Sequence, residues 1–429
     1  MANHSHSAAE SAQDRSCRFC NSTNLSSMVN LGMSPLCESY IYPEKMNSME
    51  PFYPLHTFVC GDCWLVQLDE YVSGEEIFGG EYAYFSSYST SWVQHAKDYT
   101  DLMVERFGFK QDNLMVEIAS NDGYLLQWFV EKGIPVLGVE PSENCSAVAI
   151  EKGVRTEVVY FGVESAKKLK DQYGSADLLL GNNVLAHVPD INDFVEGMKV
   201  MLGEKGVITM EFPHLQRLVE ENQFDTIYHE HFCYLSFLSV TQIFAKAGLT
   251  LFDVEEIPTH GGSLRIYGRH TENTDLPVTE RAQALLQREK DLGMDSFEFY
   301  ADFEEKVKET KRKLLSFLID AKRSGKTVVG YGAPGKGNTL LNYCGIREDF
   351  LDYVVDRSDY KQGKFLPGTH IPIHHPDKIA ETKPDYVLIL PWNIKDEIIR
   401  QMAFIGEWGA KFVVPIPETI VFDPPVLTP

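Results

Sequence analysis

An α/β protein of several domains is predicted by three stretches of the 429-residue sequence. Two Cys-x-x-Cys pairs stand near the start, at Cys17/Cys20 and Cys60/Cys63. Two strand–turn–helix–strand runs follow, from Asn113 to Glu140 and from Lys326 to Asp356. A strand leading through a tight turn into a helix and a second strand is the unit from which parallel sheets are built.

Length and composition set the frame. A chain this long divides into about two to four domains, because single cores stop growing near 250 residues. Hydrophobic and charged fractions of 44% and 24% are those of a folded globular protein. No apolar run is long enough to span a bilayer, and the N-terminus lacks a basic-then-apolar export pattern, so the expected location is the cytoplasm. Residues 1–16 read as a disordered leader. The net charge of −23, with no Lys/Arg-rich stripe, disfavours nucleic acid and anionic membranes as partners. A small anionic ligand stays compatible, since a few local cations and backbone N–H groups suffice. Five of the eight cysteines fall at or before position 63, unlike the spread of a secreted disulfide scaffold.

In chain order, Cys17, Cys20, Cys60 and Cys63 supply four thiolates, the closed tetrahedral set of a structural Zn2+ site. A redox pair or buried thiols are the alternatives, and Cys37 reads as a core residue. This predicts a zinc-binding domain over 17–75. Residues 79–89 alternate aromatics and hydroxyls without charge. They fit a strand or linker, or equally a lid presenting Tyr82, Tyr84 and Ser86 to a ligand.

The central domain is expected over 76–270. A helix near Ser91–Phe107 leads to an apolar strand ending at Glu117, a turn through Ala119, Asn121, Asp122 and Gly123, a helix, and a second strand ending at Glu140. A backbone turn plus a strand-end carboxylate is the geometry for holding an adenosine, the acid taking the ribose hydroxyls. Only Gly123 remains of the usual glycines, which disfavours a pyrophosphate and allows S-adenosylmethionine. The strand after Asp177 ends in Asn182 and Asn183, with His187 just beyond, where open α/β sheets bind ligands; a capping role is the alternative for His187. A further strand, Gly206–Pro213, precedes Tyr228-His229-Glu230-His231. This run of titratable groups inside an apolar bracket points to acid–base chemistry or, alternatively, to a hydrogen-bonded turn. A helix over Phe237–Ala247, a strand over Leu249–Ile257 and a turn into the strand bearing Arg265 follow. Arg265 is a candidate anion ligand, although a hairpin also explains the glycines before it.

Residues 271–325 are charged and amphipathic, as expected of connecting helices. A C-terminal Rossmann-like domain over 326–429 opens with Gly330-Tyr-Gly332-Ala333-Pro-Gly335-Lys336-Gly337-Asn338, a GxGxxG turn, with Asp356 ending the next strand. That spacing fits a dinucleotide, with Lys336 and Asn338 at the helix start and Lys364 on a later turn as phosphate ligands. An NAD-dependent oxidoreductase acting on a sugar nucleotide is therefore the alternative function. A zinc-anchored scaffold with an inactive site is a third reading.

Taken together, the paired Cys-x-x-Cys, Tyr82-Ala-Tyr84-Phe-Ser86-Ser-Tyr-Ser, Glu117-Ile-Ala-Ser-Asn-Asp-Gly, Tyr228-His-Glu-His-Phe and the Gly330 turn, in this order, resemble the sugar-nucleotide C-methyltransferases of branched-chain deoxysugar biosynthesis. The resemblance runs from Cys17 to about Phe422. It implies a class I methyltransferase Rossmann-like central domain using S-adenosylmethionine, and a C-terminal domain binding the sugar nucleotide (dTDP or GDP) instead of NAD. The implied reaction is methylation at C3 of a 4-keto-6-deoxysugar through an enolate. By that pattern His231 is the base, Tyr228 and His187 hydrogen-bond the keto oxygen, Glu230 orients the histidine or a hydroxyl, and Tyr82 closes over the substrate. The cofactor falls to Glu117, Ala119, Asn121, Asp122, Gly123, Glu140, Asn182 and Asn183. The substrate falls to Tyr84, Ser86, Arg265, Gly332, Ala333, Lys336, Gly337, Asn338, Asp356 and Lys364. A monomer or small homo-oligomer is expected.

Overall fold

The computed structural model describes residues 15–74 and 85–425, so Tyr82, Tyr84 and most of the leader lie outside it. Arg15, assigned to the leader, instead pairs with Asp69 at 2.7 Å and lies over the Phe58 ring, which pins the chain at the start of the described fold.

Strands β1 (Leu25–Ser34), β2 (Tyr53–Cys60) and β3 (Val66–Leu68) form an antiparallel meander. Its fourth strand comes from far along the chain. Cys233–Tyr234 pairs with β3 through Val66↔Tyr234 and Gln67↔Cys233. The Leu68 N–H also donates to the Phe232 carbonyl. The N-terminal sheet therefore clamps the segment directly after Tyr228–His231, a pairing with no local signature in the sequence.

The central sheet is built from β4 (Met115–Ile118), β5 (Val136–Val139), β6 (Thr156–Glu157), β7 (Ala176–Asn182), β8 (Leu202–Pro213), β10 (Leu249–Ile257) and β11 (Ser263–His270), with Cys233–Tyr234 counted as β9. Its order is β10-β11-β8-β7-β4-β5-β6, with only β11 antiparallel to its neighbours. β4 and β5 are buried throughout, as apolar strands covered on both faces must be. The chain reverses direction across the sheet between β4 and β7, and crevices at such points receive ligands at the carboxyl ends of the strands. Because β11 runs backward, the β10–β11 hairpin returns at that same edge.

The C-terminal sheet has the order β14-β13-β12-β15-β16-β17. Its strands are β12 (Val328–Tyr331), β13 (Val354–Val355), β14 (Ile373–His374), β15 (Tyr386–Ile389), β16 (Lys411–Val414) and β17 (Ile420–Phe422). The 271–325 region folds mainly as the helices Glu280–Asp291 and Phe303–Arg323. One hydrophobic core joins Met28, Val29 and Leu55 of the first sheet to Leu314 and Leu318 of the long helix and Val328 and Val354 of the last sheet. A second core runs from Cys17, Cys60 and Cys63 through Phe232 into the central sheet at Ile208. The N-terminal unit is thus wedged against both others. No helix among the described residues is long and apolar enough to cross a membrane.

A buried hydrogen bond ties the end of β8 to the helix Glu280–Asp291. His214 and Glu289, 1% and 0% exposed, meet at 2.6 Å. Glu289 also accepts the backbone N–H groups of Phe237 (2.8 Å) and Leu238 (2.6 Å), two free donors at the start of the helix Phe237–Lys246. Removing Glu289 leaves the His214 ring and two backbone N–H groups in the core without their partner. Glu289→Ala is expected to cost about 3–5 kcal/mol, with buried groups left unsatisfied at about 1–3 kcal/mol each, read as an earlier unfolding transition in urea; an unchanged midpoint would show that these bonds are dispensable.

Candidate active site

Three groups of side chains converge at the carboxyl edge of the central sheet. The first surrounds the turn after β4. Ala119 (φ 56°), Asn121 (φ 49°) and Gly123 (φ 74°) all take the left-handed conformation. The glycine-poor turn thus keeps a glycine-type backbone, at a cost that non-glycine residues carry mainly at functional sites. Glu140 anchors it, its Oε2 accepting the Asn121 N–H and its Oε1 the Ser142 N–H, both at 2.9 Å. Glu117 is fully buried, and burial followed by Asp122 and Glu140 pushes its carboxyl well up. Lys152 bonds Asp122 at 3.1 Å. Ser86, assigned to the substrate, lies on this turn instead, its N–H donating to Asn121 Oδ1 at 2.9 Å.

The turn fits S-adenosylmethionine. Among the described residues, Asp122 Oδ1, Asn183 Oδ1 and both ends of the Asn182 amide are buried without hydrogen-bond partners. Buried polar atoms left open at a sheet's carboxyl edge are ones a bound ligand can satisfy. A sulfonium with an α-ammonium suits three neighbouring carboxyls better than a diphosphate does.

The second group is Tyr228–His231. The short turn Phe224–Thr226 precedes it, and His231 Nδ1 donates to the Thr226 carbonyl at 2.8 Å. That bond places the proton on Nδ1 and leaves the Nε2 lone pair open. Burial pulls the His231 pKa down to about 4. The His187 ring stands edge-on to His231, centroids 4.6 Å apart, and the Tyr228 ring lies 4.1 Å away. His231, His187 and Tyr228 are therefore brought together. Of the two roles expected of Glu230, orienting the imidazole falls to the Thr226 carbonyl, and the Glu230 carboxyl faces Cys37 Sγ at 3.8 Å. Burial, then Glu38, raises Glu230 to about 8. His229 turns away to the Pro54 carbonyl.

The third group belongs to the Gly330 turn, and here the sequence assignments change most. Gly332 (φ 87°) makes the turn, and Asp356 accepts the N–H groups of Ala333 (2.7 Å) and Ser358 (2.8 Å). The space of a phosphate cradle is taken by the N-terminal unit. A Cβ on Gly335 would meet Cys37 Sγ at 2.9 Å, and the Ala333 carbonyl accepts from Tyr40 (2.6 Å) and Lys361 (2.9 Å). Gly337 packs on Leu390. Asn338 is 1% exposed and donates to the Cys37 carbonyl, and Lys364 is buried over the Tyr42 and Tyr360 rings. Arg265 is likewise committed, to Glu211 at 2.6 Å and Glu255 at 3.0 Å. Lys336 differs: it bonds Asn393 at 2.8 Å, lies over Trp392, and is close enough to depress His231 and His260.

Sequence reading missed several residues here. His95 bonds Glu211 at 2.8 Å and stacks on Trp92. Asp225 accepts from Trp392 Nε1 at 2.7 Å, and Thr339 Oγ1 donates to the Ile227 carbonyl at 3.0 Å, so the C-terminal unit holds the turn that orients His231. His95 had an amphipathic helix as its only signal, and Asp225 had none.

The four cysteines form the metal site. Cys17 and Cys63 Sγ lie 3.5 Å apart, as do Cys20 and Cys60, and all four lie within 4.8 Å of one another with no disulfide. Tetrahedral Zn–S bonds of about 2.3 Å demand sulfur separations of roughly 3.8 Å, so the set fits structural zinc.

Family models described as a zinc binding domain, a methyltransferase domain and a C-methyltransferase C-terminal domain match residues 17–78, 92–254 and 258–417. The C-methyltransferase NovU of Streptomyces niveus is 36% identical over 407 residues, covering 95% of this chain and 96% of its own. Among solved structures, a SAM-dependent methyltransferase from Anabaena variabilis aligns over 42% of this chain and 86% of its own, at 13% identity and a TM-score of 0.35. Magnesium protoporphyrin IX methyltransferase from Synechocystis, with bound SAM, aligns over 46% and 88%, at 15% identity and a TM-score of 0.32.

Proposed function

The chain belongs to the C-methyltransferase family, an S-adenosylmethionine-dependent and zinc-binding one, and on that premise we propose that it methylates C3 of a nucleoside-diphosphate 4-keto-6-deoxysugar through an enolate. Membership leaves the oxidoreductase reading of the Gly330 turn without support. The observation that carries the proposal is His231, its Nδ1–H tied to Thr226 and its Nε2 open beside His187 and Tyr228.

Carbon methylation next to a ketone needs a base, a partner for the developing oxyanion, and an aligned methyl donor. Bound S-adenosylmethionine supplies an electrophilic methyl on a sulfonium. His231 Nε2 takes the C3 proton, and the C–H electron pair moves into the C3–C4 bond as negative charge gathers on the C4 oxygen. Tyr228 donates to that oxygen, while His187, expected to do the same, is a neutral ring whose one N–H is engaged by the Glu230 backbone. Burial disfavours a lone imidazolium but not an imidazolium–enolate pair, whose net charge is zero. The site that depresses His231 when empty of charge therefore supports proton transfer once the enolate forms. Glu230, held up near 8, is a protonated donor for a sugar hydroxyl at neutral pH. NovU is named as a C-methyltransferase, which agrees with a carbon acceptor. Lys336, near enough to depress His231, is the cation we assign to the diphosphate.

The test is incubation with S-adenosylmethionine and a panel of dTDP- and GDP-linked 4-keto-6-deoxysugars deuterated at C3. One sugar is expected to gain a methyl and lose its C3 deuterium. Methylation with the deuterium retained would place the methyl elsewhere and end the C3 assignment.

A further inference from the structure

The tip of the β10–β11 hairpin, Thr259–Gly261, reaches the carboxyl edge of the central sheet and carries His260 in a left-handed conformation (φ 55°, ψ 22°). Few non-glycine residues accept that geometry, and those that do are held by their surroundings. His260 is held on three sides. Its ring meets Trp92 edge-on at 5.1 Å. Gly261 packs so closely on Trp392 that a Cβ would come within 2.6 Å of the indole, and its carbonyl accepts from Gln223 Nε2 at 2.8 Å. The turn closes on itself through Gly262 N–H to the Thr259 carbonyl.

The fixed ring has one polar partner with a consequence for the cofactor. His260 Nε2 lies 2.9 Å from Asn183 Nδ2. An amide nitrogen can only donate, so His260 accepts through an unprotonated Nε2. Burial and the Lys336 cation hold the imidazole neutral, with its pKa down at about 3. Asn183 stands at the end of β7, itself left-handed (φ 55°), with its N–H on the Glu211 carbonyl. With Nδ2 bound to His260, Asn183 Oδ1 is the free end, and among the described residues it is buried without a partner. A side-chain amide can turn over, and a His260 ring with Nε2 unprotonated has a partner in only one of the two orientations.

We propose that His260 is a positioning residue for the cofactor: by accepting from Asn183 Nδ2 it fixes the amide so that Oδ1 is presented to the cationic part of S-adenosylmethionine. The inference rests on Asn183 facing the cofactor, and it stands whether or not the acceptor is a sugar nucleotide.

The test is calorimetric titration of the zinc-loaded full chain with S-adenosylmethionine alone, for His260→Leu, His260→Gln, Asn183→Ala and His260→Leu/Asn183→Ala. Leucine and glutamine suffer the same backbone strain and both lose the ring contact with Trp92, but only glutamine keeps an acceptor. His260→Leu is expected to weaken binding about tenfold, or about 1.4 kcal/mol, with His260→Gln restoring most of it. The double variant should bind about as weakly as Asn183→Ala, since the two side chains act through one bond. Additive losses, or equal losses in leucine and glutamine, would overturn the proposal. An Asn183→Ala variant that binds like the wild type would instead remove Asn183 from the cofactor site. Should His260→Leu melt early, the glutamine and Asn183 variants still decide the matter.

Discussion

His231→Asn is expected to lower turnover by about two to four orders of magnitude, the usual loss when a general base is removed. Binding of S-adenosylmethionine should stay within a few-fold, because His231 is bonded to Thr226 and none of its hydrogen bonds reaches the β4 turn. The variant keeps a side-chain donor for the Thr226 carbonyl, so the turn Phe224–Thr226 keeps its fastening while the ring nitrogen is lost. The pH dependence adds a second check. Protonated His231 cannot accept a proton, so the rate falls as pH drops through its pKa. Burial places that pKa near 4, and the acid limb of kcat/KM should lie well below the ordinary histidine range. Activity within a few-fold of wild type, or a limb near 6.5 that survives the substitution, would assign the base elsewhere.

Loss of zinc is expected to have the larger structural effect. Structural zinc sites bind with about 10–16 kcal/mol at neutral pH, as much as a whole domain's stability of about 5–15 kcal/mol. Cys60 belongs to both β2 and the metal cluster, and β2 pairs with β3, which pairs with β9 immediately after His231. Cys60→Ser should therefore lose the metal, melt the N-terminal sheet, and abolish turnover by releasing Tyr228–His231 from its clamp. Metal content by mass spectrometry, thermal unfolding and turnover measured together check this chain of effects. One zinc per chain with an unchanged melting temperature would break it at the first link.

The cysteine set and the succession of strands were legible because their signals are local. Alternation of apolar runs with turns marks β4, β5, β7, β10 and β12, and Cys-x-x-Cys spacing marks a metal shell whatever folds around it. The strand-end positions of Glu140, Asn182 and Asn183 followed for the same reason: a parallel strand delivers its last residues to one edge. His231, His187 and Tyr228 were grouped only through a resemblance, since nothing in their spacing says that a residue at 187 meets one at 231.

What the sequence determined by itself was therefore the inventory: a metal site, two βαβ sheets, and a titratable run between them. The tertiary structure decided the partners. Gly335 reads as a phosphate-binding glycine until Cys37 is found packed upon it, and Arg265 and Lys364 read as anion ligands until Glu211 and two tyrosines claim them. His260, in the turn before the strand bearing Arg265, meets Asn183 only through the tertiary fold. Backbone periodicity is set by neighbours along the chain and can be read from them. Which charge a buried side chain meets depends on residues as distant in the chain as Asn338 is from Cys37, and only packing the units together settles that.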